Sequence, residues 1–141
     1  MKKPKLEHAI RLAVKCHAGQ KDKGGNPYIF HPLRVMMKME TEDERIVAVL
    51  HDVIEDSDIT TRDLRKKGYP KKIVEAVDAL SKRKGERYKS YLKRVSKSKL
   101  AVRVKLEDLT DNMNYRRPAG VTAQDRDRLL RYKEAFEFLK E

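Results

Sequence analysis

The chain has 141 residues, long enough for one domain with one sizeable core and too short for two ordinary ones. Its hydrophobic fraction of 39% against a charged fraction of 40% suits a small helical protein with a thin core, and no apolar run approaches the ~18–20 residues of a membrane span. The formal net charge of +12 favours anionic partners, but the basic residues are scattered, without the aromatic, Gly-rich or Cys/His patterns of nucleic-acid modules, so nucleic acid is not the expected partner.

Met1-Lys2-Lys3-Pro4-Lys5 is basic with no apolar signal core behind it, and the single Cys16 allows no internal disulfide. Both agree with a cytoplasmic location, with no membrane partner expected. Helical periodicity recurs along the chain and no alternating strand pattern appears. Leu6 to His17 reads as a first helix with Leu6, Ile10, Ala13 and Val14 on one face, and Ala18 to Phe30, rich in Gly and Pro, as a loop. His31 to about Met39 is a second helix with Pro32 in its first turn. Asp43 to about Val53 is a third, whose Ile46, Val47, Val49 and Leu50 should run through the core. Thr60 or Thr61 caps a short helix ending at Lys67, before Gly68 and Pro70. Lys71 to Leu80, Arg87 to Val95 and Lys99 to Tyr115 are further helices, with a basic turn at Ser81 to Glu86. After a break at Pro118-Ala119-Gly120, Ala123 to Lys140 closes the chain with Leu129, Tyr132, Ala135, Phe136 and Leu139 on its apolar positions. The expectation is an all-α, compact single-domain helical bundle over residues 1–141.

Four residues of metal-ligand type stand out: His31, the adjacent His51 and Asp52, and Asp108. The His-Asp pair ends an apolar helix at Ala48-Val49-Leu50, where polar groups without partners are costly to bury. Mixed imidazole and carboxylate ligation suits Mn²⁺, Fe²⁺ or Zn²⁺ better than Mg²⁺ or Ca²⁺. Positions four apart share a helix face, so Glu55 neighbours His51 and Asp56 neighbours Asp52, provided the helix continues or only loosens there. Such a carboxylate pair can align a metal-activated water and move its protons. Asp108 and Asn112 share a face in the same way, with Lys105 one turn earlier. His8 reads as a surface or satisfied core residue, His17 as structural or supporting beside the loop, and Cys16 as a small buried residue.

The segments His17-Ala18-Gly19-Gln20, Asn26-Pro27-Tyr28-Ile29-Phe30-His31-Pro32, His51-Asp52-Val53-Ile54-Glu55-Asp56 and Val104-Lys105-Leu106-Glu107-Asp108 with Asn112 resemble HD-domain metal-dependent phosphohydrolases. More closely, they resemble the hydrolase domain of RelA/SpoT-type proteins, a branch that includes small stand-alone alarmone hydrolases. The resemblance implies an all-helical HD-type bundle that removes the 3′-pyrophosphate of guanosine tetra- or pentaphosphate, (p)ppGpp, to give GDP or GTP. It implies Mn²⁺ held by His31, His51, Asp52 and Asp108, with Glu55 and Asp56 as the catalytic pair and Tyr28, Lys105 and Asn112 around the nucleotide. Asp22 stands where the family usually carries an Arg that packs near the base, flanked by Lys21 and Lys23 as substitute cations. Glu107 stands where the family usually has Ala.

Three readings follow. The first is an alarmone hydrolase whose partner is the nucleotide. The second is an HD phosphohydrolase acting on another nucleotide or phosphorylated cofactor, such as the 2′-phosphate of NADPH, favoured by Asp22. The third is a non-catalytic nucleotide- or nucleic-acid-binding HD module. The chain leaves assembly as a homo-oligomer open.

Overall fold

The computed structural model describes residues 4–115 and 123–140. Among them the elements are α1 (Leu6–Cys16), α2 (Phe30–Met37), α3 (Glu42–Leu50), α4 (Val53–Asp56), α5 (Thr61–Lys66), α6 (Lys71–Ala79), α7 (Tyr88–Ser96), α8 (Lys99–Tyr115) and α9 (Ala123–Lys140). The fold is all-α, and among the described residues the one extended pairing is an isolated antiparallel bridge between Lys21 and Pro27. The break expected at residues 118–120 lies outside the described residues. No described helix is long and apolar enough to cross a membrane.

α3 is the central helix, packed against α1, α2, α6 and α8. Its sequence explains both ends. Thr41 accepts from the Glu44 amide while the Glu44 carboxylate accepts from the Thr41 amide, a reciprocal cap that starts the helix. Ile46 to Leu50 then runs fully buried through the core. The expected continuation to Val53 does not occur: the helix stops at Leu50, turns at His51 and Asp52, and resumes as α4. His51 Nδ1 lies 2.6 Å from the Ala48 carbonyl, and a ring N–H directed there competes with the i to i+4 backbone bond of a continuing helix. The side chain that serves the site therefore also ends the helix.

Thr60 and Asp63 form a second reciprocal cap on α5. Ile73, Val74 and Val77 of α6 face inward. In α9, Ala135 and Leu139 are buried, whereas Leu129, Tyr132 and Phe136 are only half-buried. Cys16, expected to be buried, is half-buried at the end of α1. His8 is satisfied by the Tyr69 hydroxyl at 2.7 Å, and burial pushes that phenol up to about 12.

The loop between α1 and α2 is closely tied. The Asp22 amide donates to the Asn26 carbonyl at 2.8 Å and the Tyr28 amide to the Gln20 carbonyl at 2.9 Å. Asp22 Oδ1 accepts from the amides of Gly24 and Asn26, both at 2.9 Å. Gly25 turns the chain with φ of +83°, a conformation that side chains disfavour.

Candidate metal centre

Three elements meet beneath that loop. α2 supplies His31, the turn after α3 supplies His51 and Asp52, and α8 supplies Asp108. Ligand atoms of His31, His51 and Asp108 lie within 4.8 Å of one another, and all three residues are buried. Asp52, the fourth expected residue, is not part of that mutual cluster but lies beside it, with Oδ2 3.1 Å from His51 Nε2 and 3.9 Å from His31 Nε2.

Each imidazole is committed on its far side. His51 Nδ1 reaches the Ala48 carbonyl, which can only accept, so the hydrogen belongs to Nδ1. His51 Nε2 is then a buried atom without a hydrogen-bond partner, yet it faces Asp52 Oδ2 at 3.1 Å and Asp108 Oδ1 at 3.3 Å. His31 repeats the pattern: Nδ1 donates to Asp111 Oδ2 at 2.6 Å and Nε2 faces Asp108 Oδ1 at 2.8 Å. Lone pairs of two rings and two carboxylates converging in a buried space repel unless a cation or protons stand among them. The donor set fits a divalent ion of the Mn²⁺, Fe²⁺ or Zn²⁺ kind.

The electrostatics agree. Burial works against an imidazolium at His31, but hydrogen bonds with Asp108 and Asp111 prevail and raise its pKa above 6.5. At His51 burial is likewise overridden, chiefly by the Asp52 charge. Asp108 is held well below the usual carboxylate range because the Lys105 charge and both imidazoles outweigh its burial, and Asp52 is lowered mainly by His51. Lys105 Nζ donates to Asp108 Oδ2 at 2.7 Å and lies 5.2 Å from the Tyr91 ring centre. That bond leaves Asp108 Oδ1 to face the centre. Asn112 Nδ2 stands 3.4 Å from the same Oδ1.

Glu55 and Asp56 lie on α4, more exposed than the four ligand-type residues. Glu55 Oε1 accepts from the Lys82 amide in the turn after α6. Asp56 Oδ2 accepts from Gln20 Nε2 at 3.1 Å, and Gln20 Oε1 is 2.9 Å from His17 Nδ1. Burial raises both carboxyl pKa values against those bonds, and the nearby Asp52 charge adds to the rise. An open pocket of about 680 Å³ beside the pair is edged by Lys82, Arg83 and Lys84.

Tyr28 is buried, donates its hydroxyl to Asp52 Oδ2, and has its ring centre 5.0 Å from His17 and 5.7 Å from His31. Lys21 and Lys23 are exposed on the loop. Asp22 is bound to its own loop amides, which accounts for an acidic residue at that position. Glu107 pairs with Arg103 at 3.3 Å, one helical turn away.

Comparison with known proteins now bears on this geometry. No family model matches the chain. It is 33% identical over 137 residues to a guanosine-3′,5′-bis(diphosphate) 3′-pyrophosphohydrolase of Vibrio cholerae, covering 89% of this chain and 19% of that protein. A protein of the same name from Aquifex aeolicus is 31% identical over 119 residues, 77% of this chain and 17% of that one. The bifunctional (p)ppGpp synthase/hydrolase SpoT of Escherichia coli is 30% identical over 138 residues, 89% and 20% of the two chains. The fold superposes on a metazoan ortholog of SpoT that hydrolyses ppGpp, with a TM-score of 0.78 at 23% identity, covering 99% of this chain and 86% of that one.

The chain is a relative of the SpoT-type pyrophosphohydrolases. It spans about a fifth of the length of these curated relatives. The all-α architecture superposes over nearly its whole length on that of the metazoan ortholog.

Sequence reasoning missed Asp111 and Arg34 behind His31, and the hold of Gln20 on Asp56. Asp111 carried one usable signal: it is three residues after Asp108, and His31 and Arg34 are also three apart, so two helices can face each other in matched pairs.

Proposed function

We propose that this chain is a metal-dependent hydrolase that removes the 3′-pyrophosphate of (p)ppGpp in the cytoplasm, its residues folding as one catalytic domain. The observation that carries the reading is the convergence of His31, His51 and Asp108 on one buried point, with both imidazole Nε2 atoms turned inward and Asp52 beside them. Names of relatives over most of the chain supply the substrate class. The metal proposed is Mn²⁺, with Fe²⁺ or Zn²⁺ compatible with the same ligands.

When bound, the ion acidifies a water and neutralises charge on the phosphate under attack. The protein's own residues do the rest. His31, His51, Asp52 and Asp108 hold the ion, and Lys105 fixes the Asp108 carboxylate so that Oδ1 faces it. Glu55 and Asp56 orient the attacking water and accept its proton, and their raised pKa values bring them nearer the working pH of a general base. Lys21 and Lys23 on the loop, with the cations of the turn at Lys82 to Lys84, offer positive charge to the nucleotide phosphates. Tyr28 steadies Asp52 and lies with Asn112 along the nucleotide side of the site.

Asp22, in place of the family's usual Arg, is the feature favouring another nucleotide or NADPH, and its two bonds to loop amides give it a part in the loop's shape as well.

The test is release of pyrophosphate from ppGpp by metal-stripped protein, with and without Mn²⁺, against NADPH and a dNTP. Mn²⁺-dependent release from ppGpp alone is expected. Turnover of another substrate only would keep the hydrolase and discard the alarmone, and silence on every nucleotide would leave a binding module.

A further inference from the structure

His31 is gripped from behind. α2 carries His31 and Arg34, α8 carries Asp108 and Asp111, and each pair is separated by one helical turn. The two helices pack together, so the pairs meet as two rungs. In the front rung His31 Nε2 meets Asp108 Oδ1 at 2.8 Å. In the rear rung Arg34 clamps Asp111 with Nε on Oδ1 at 2.8 Å and Nη2 on Oδ2 at 3.0 Å. The same Oδ2 accepts from His31 Nδ1 at 2.6 Å, joining the rungs through the imidazole.

We propose that Asp111 and Arg34 are positioning residues that orient His31 as a metal ligand. Asp111 accepts the ring hydrogen at Nδ1, which leaves the lone pair on Nε2 and sets the plane of the ring. Arg34 fixes the carboxylate at both oxygens, so Asp111 cannot rotate away from the imidazole. A carboxylate behind a ligating imidazole also makes the ring a stronger donor. His51 is held differently, by the neutral Ala48 carbonyl. The two imidazoles are therefore unequal: His31 is the stronger donor, and the one whose orientation depends on side chains alone.

This inference rests on the metal reading above, and the experiment separates the two. Mn²⁺ is titrated into the metal-stripped full chain by calorimetry, for wild type, Asp111→Ala, Arg34→Met and the double variant Arg34→Met/Asp111→Asn. Melting of the metal-free proteins is followed alongside. Asp111→Ala is expected to weaken Mn²⁺ binding about 10- to 100-fold, and Arg34→Met by a smaller factor. The double variant keeps a neutral acceptor for the Nδ1 hydrogen and is expected to recover most of the Asp111→Ala loss. In Zn²⁺-loaded protein, ¹⁵N NMR is expected to show a low-field His31 Nδ1 hydrogen that is absent from Asp111→Ala. Variants that melt earlier yet bind Mn²⁺ like wild type would reduce the rear rung to a structural ion pair and overturn the proposal. A wild type that binds no metal would overturn the metal reading itself, and this inference with it.

Discussion

The two acidic sets around the candidate metal centre, Asp52 with Asp108 and Glu55 with Asp56, are built in opposite ways. Asp52 and Asp108 are enclosed, strongly paired and held in the ionised form by the imidazoles, and in Asp108 by Lys105 as well. Glu55 and Asp56 sit on a helix of four residues at an open pocket, steadied by one loop amide and by Gln20, with pKa values pushed upward. The difference separates two tasks. Holding an ion requires fixed, ionised oxygens away from water, whereas moving a proton requires a carboxyl that can change state and be reached.

The sharpest way to break this division is at its enclosed half. His51→Ala is expected to abolish metal binding and pyrophosphate release together, measured as bound metal per chain and as rate; full metal content in the variant would contradict the ligand assignment. Glu55→Gln should spare the metal content and lower kcat about 10²- to 10⁴-fold. A rate near wild type would move the proton transfer to Asp56 alone.

Next in size is the effect of pH. Both imidazoles have raised pKa values in the metal-free fold, and each must lose a proton before Nε2 can bind an ion. Metal affinity should therefore climb as pH rises through those values, above 6.5. Stability of the metal-free protein should run the other way. The contribution of the two protonated rings is complete below 6.5 and is lost as pH passes the raised folded values. Calorimetry and melting curves taken from about pH 6 upward follow both trends. Affinity that is flat with pH would mean the rings are already neutral.

Smaller still is Gln20→Leu, which removes the amide that holds Asp56. It is expected to lower kcat about tenfold with metal content unchanged, the scale of a single lost hydrogen bond to a charged group. An equal loss in Glu55→Gln/Gln20→Leu and in Glu55→Gln alone would show that the two carboxylates act as a unit.

Residue type and order carried the all-α fold, most helix bounds and the meeting of His31, His51 and Asp108, because buried polar residues inside apolar helices have few explanations. The end of α3 was not legible. Nothing around His51 resembles a helix stop, and the interruption comes from a side chain turning onto the Ala48 carbonyl. Asp111 and Arg34 escaped notice because surface-like charges on two separate helices become informative only when the helices are known to face each other. Asp22 has a second part that its residue type did not announce: its charge suggests a changed base preference, and its oxygen also ties the loop. Sequence alone reports that a charge is present, and geometry decides whether it faces outward.

That tied loop has an evolutionary consequence. Its shape is set by Asp22, Gly25 and backbone bonds, including the bridge of Lys21 with Pro27, while Lys21 and Lys23 are exposed. The backbone can therefore stay constant as those two letters change. A lineage could retune which phosphorylated molecule is drawn to the rim by exchanging Lys21 or Lys23, while the ion-binding machinery below passes unaltered from one descendant to the next.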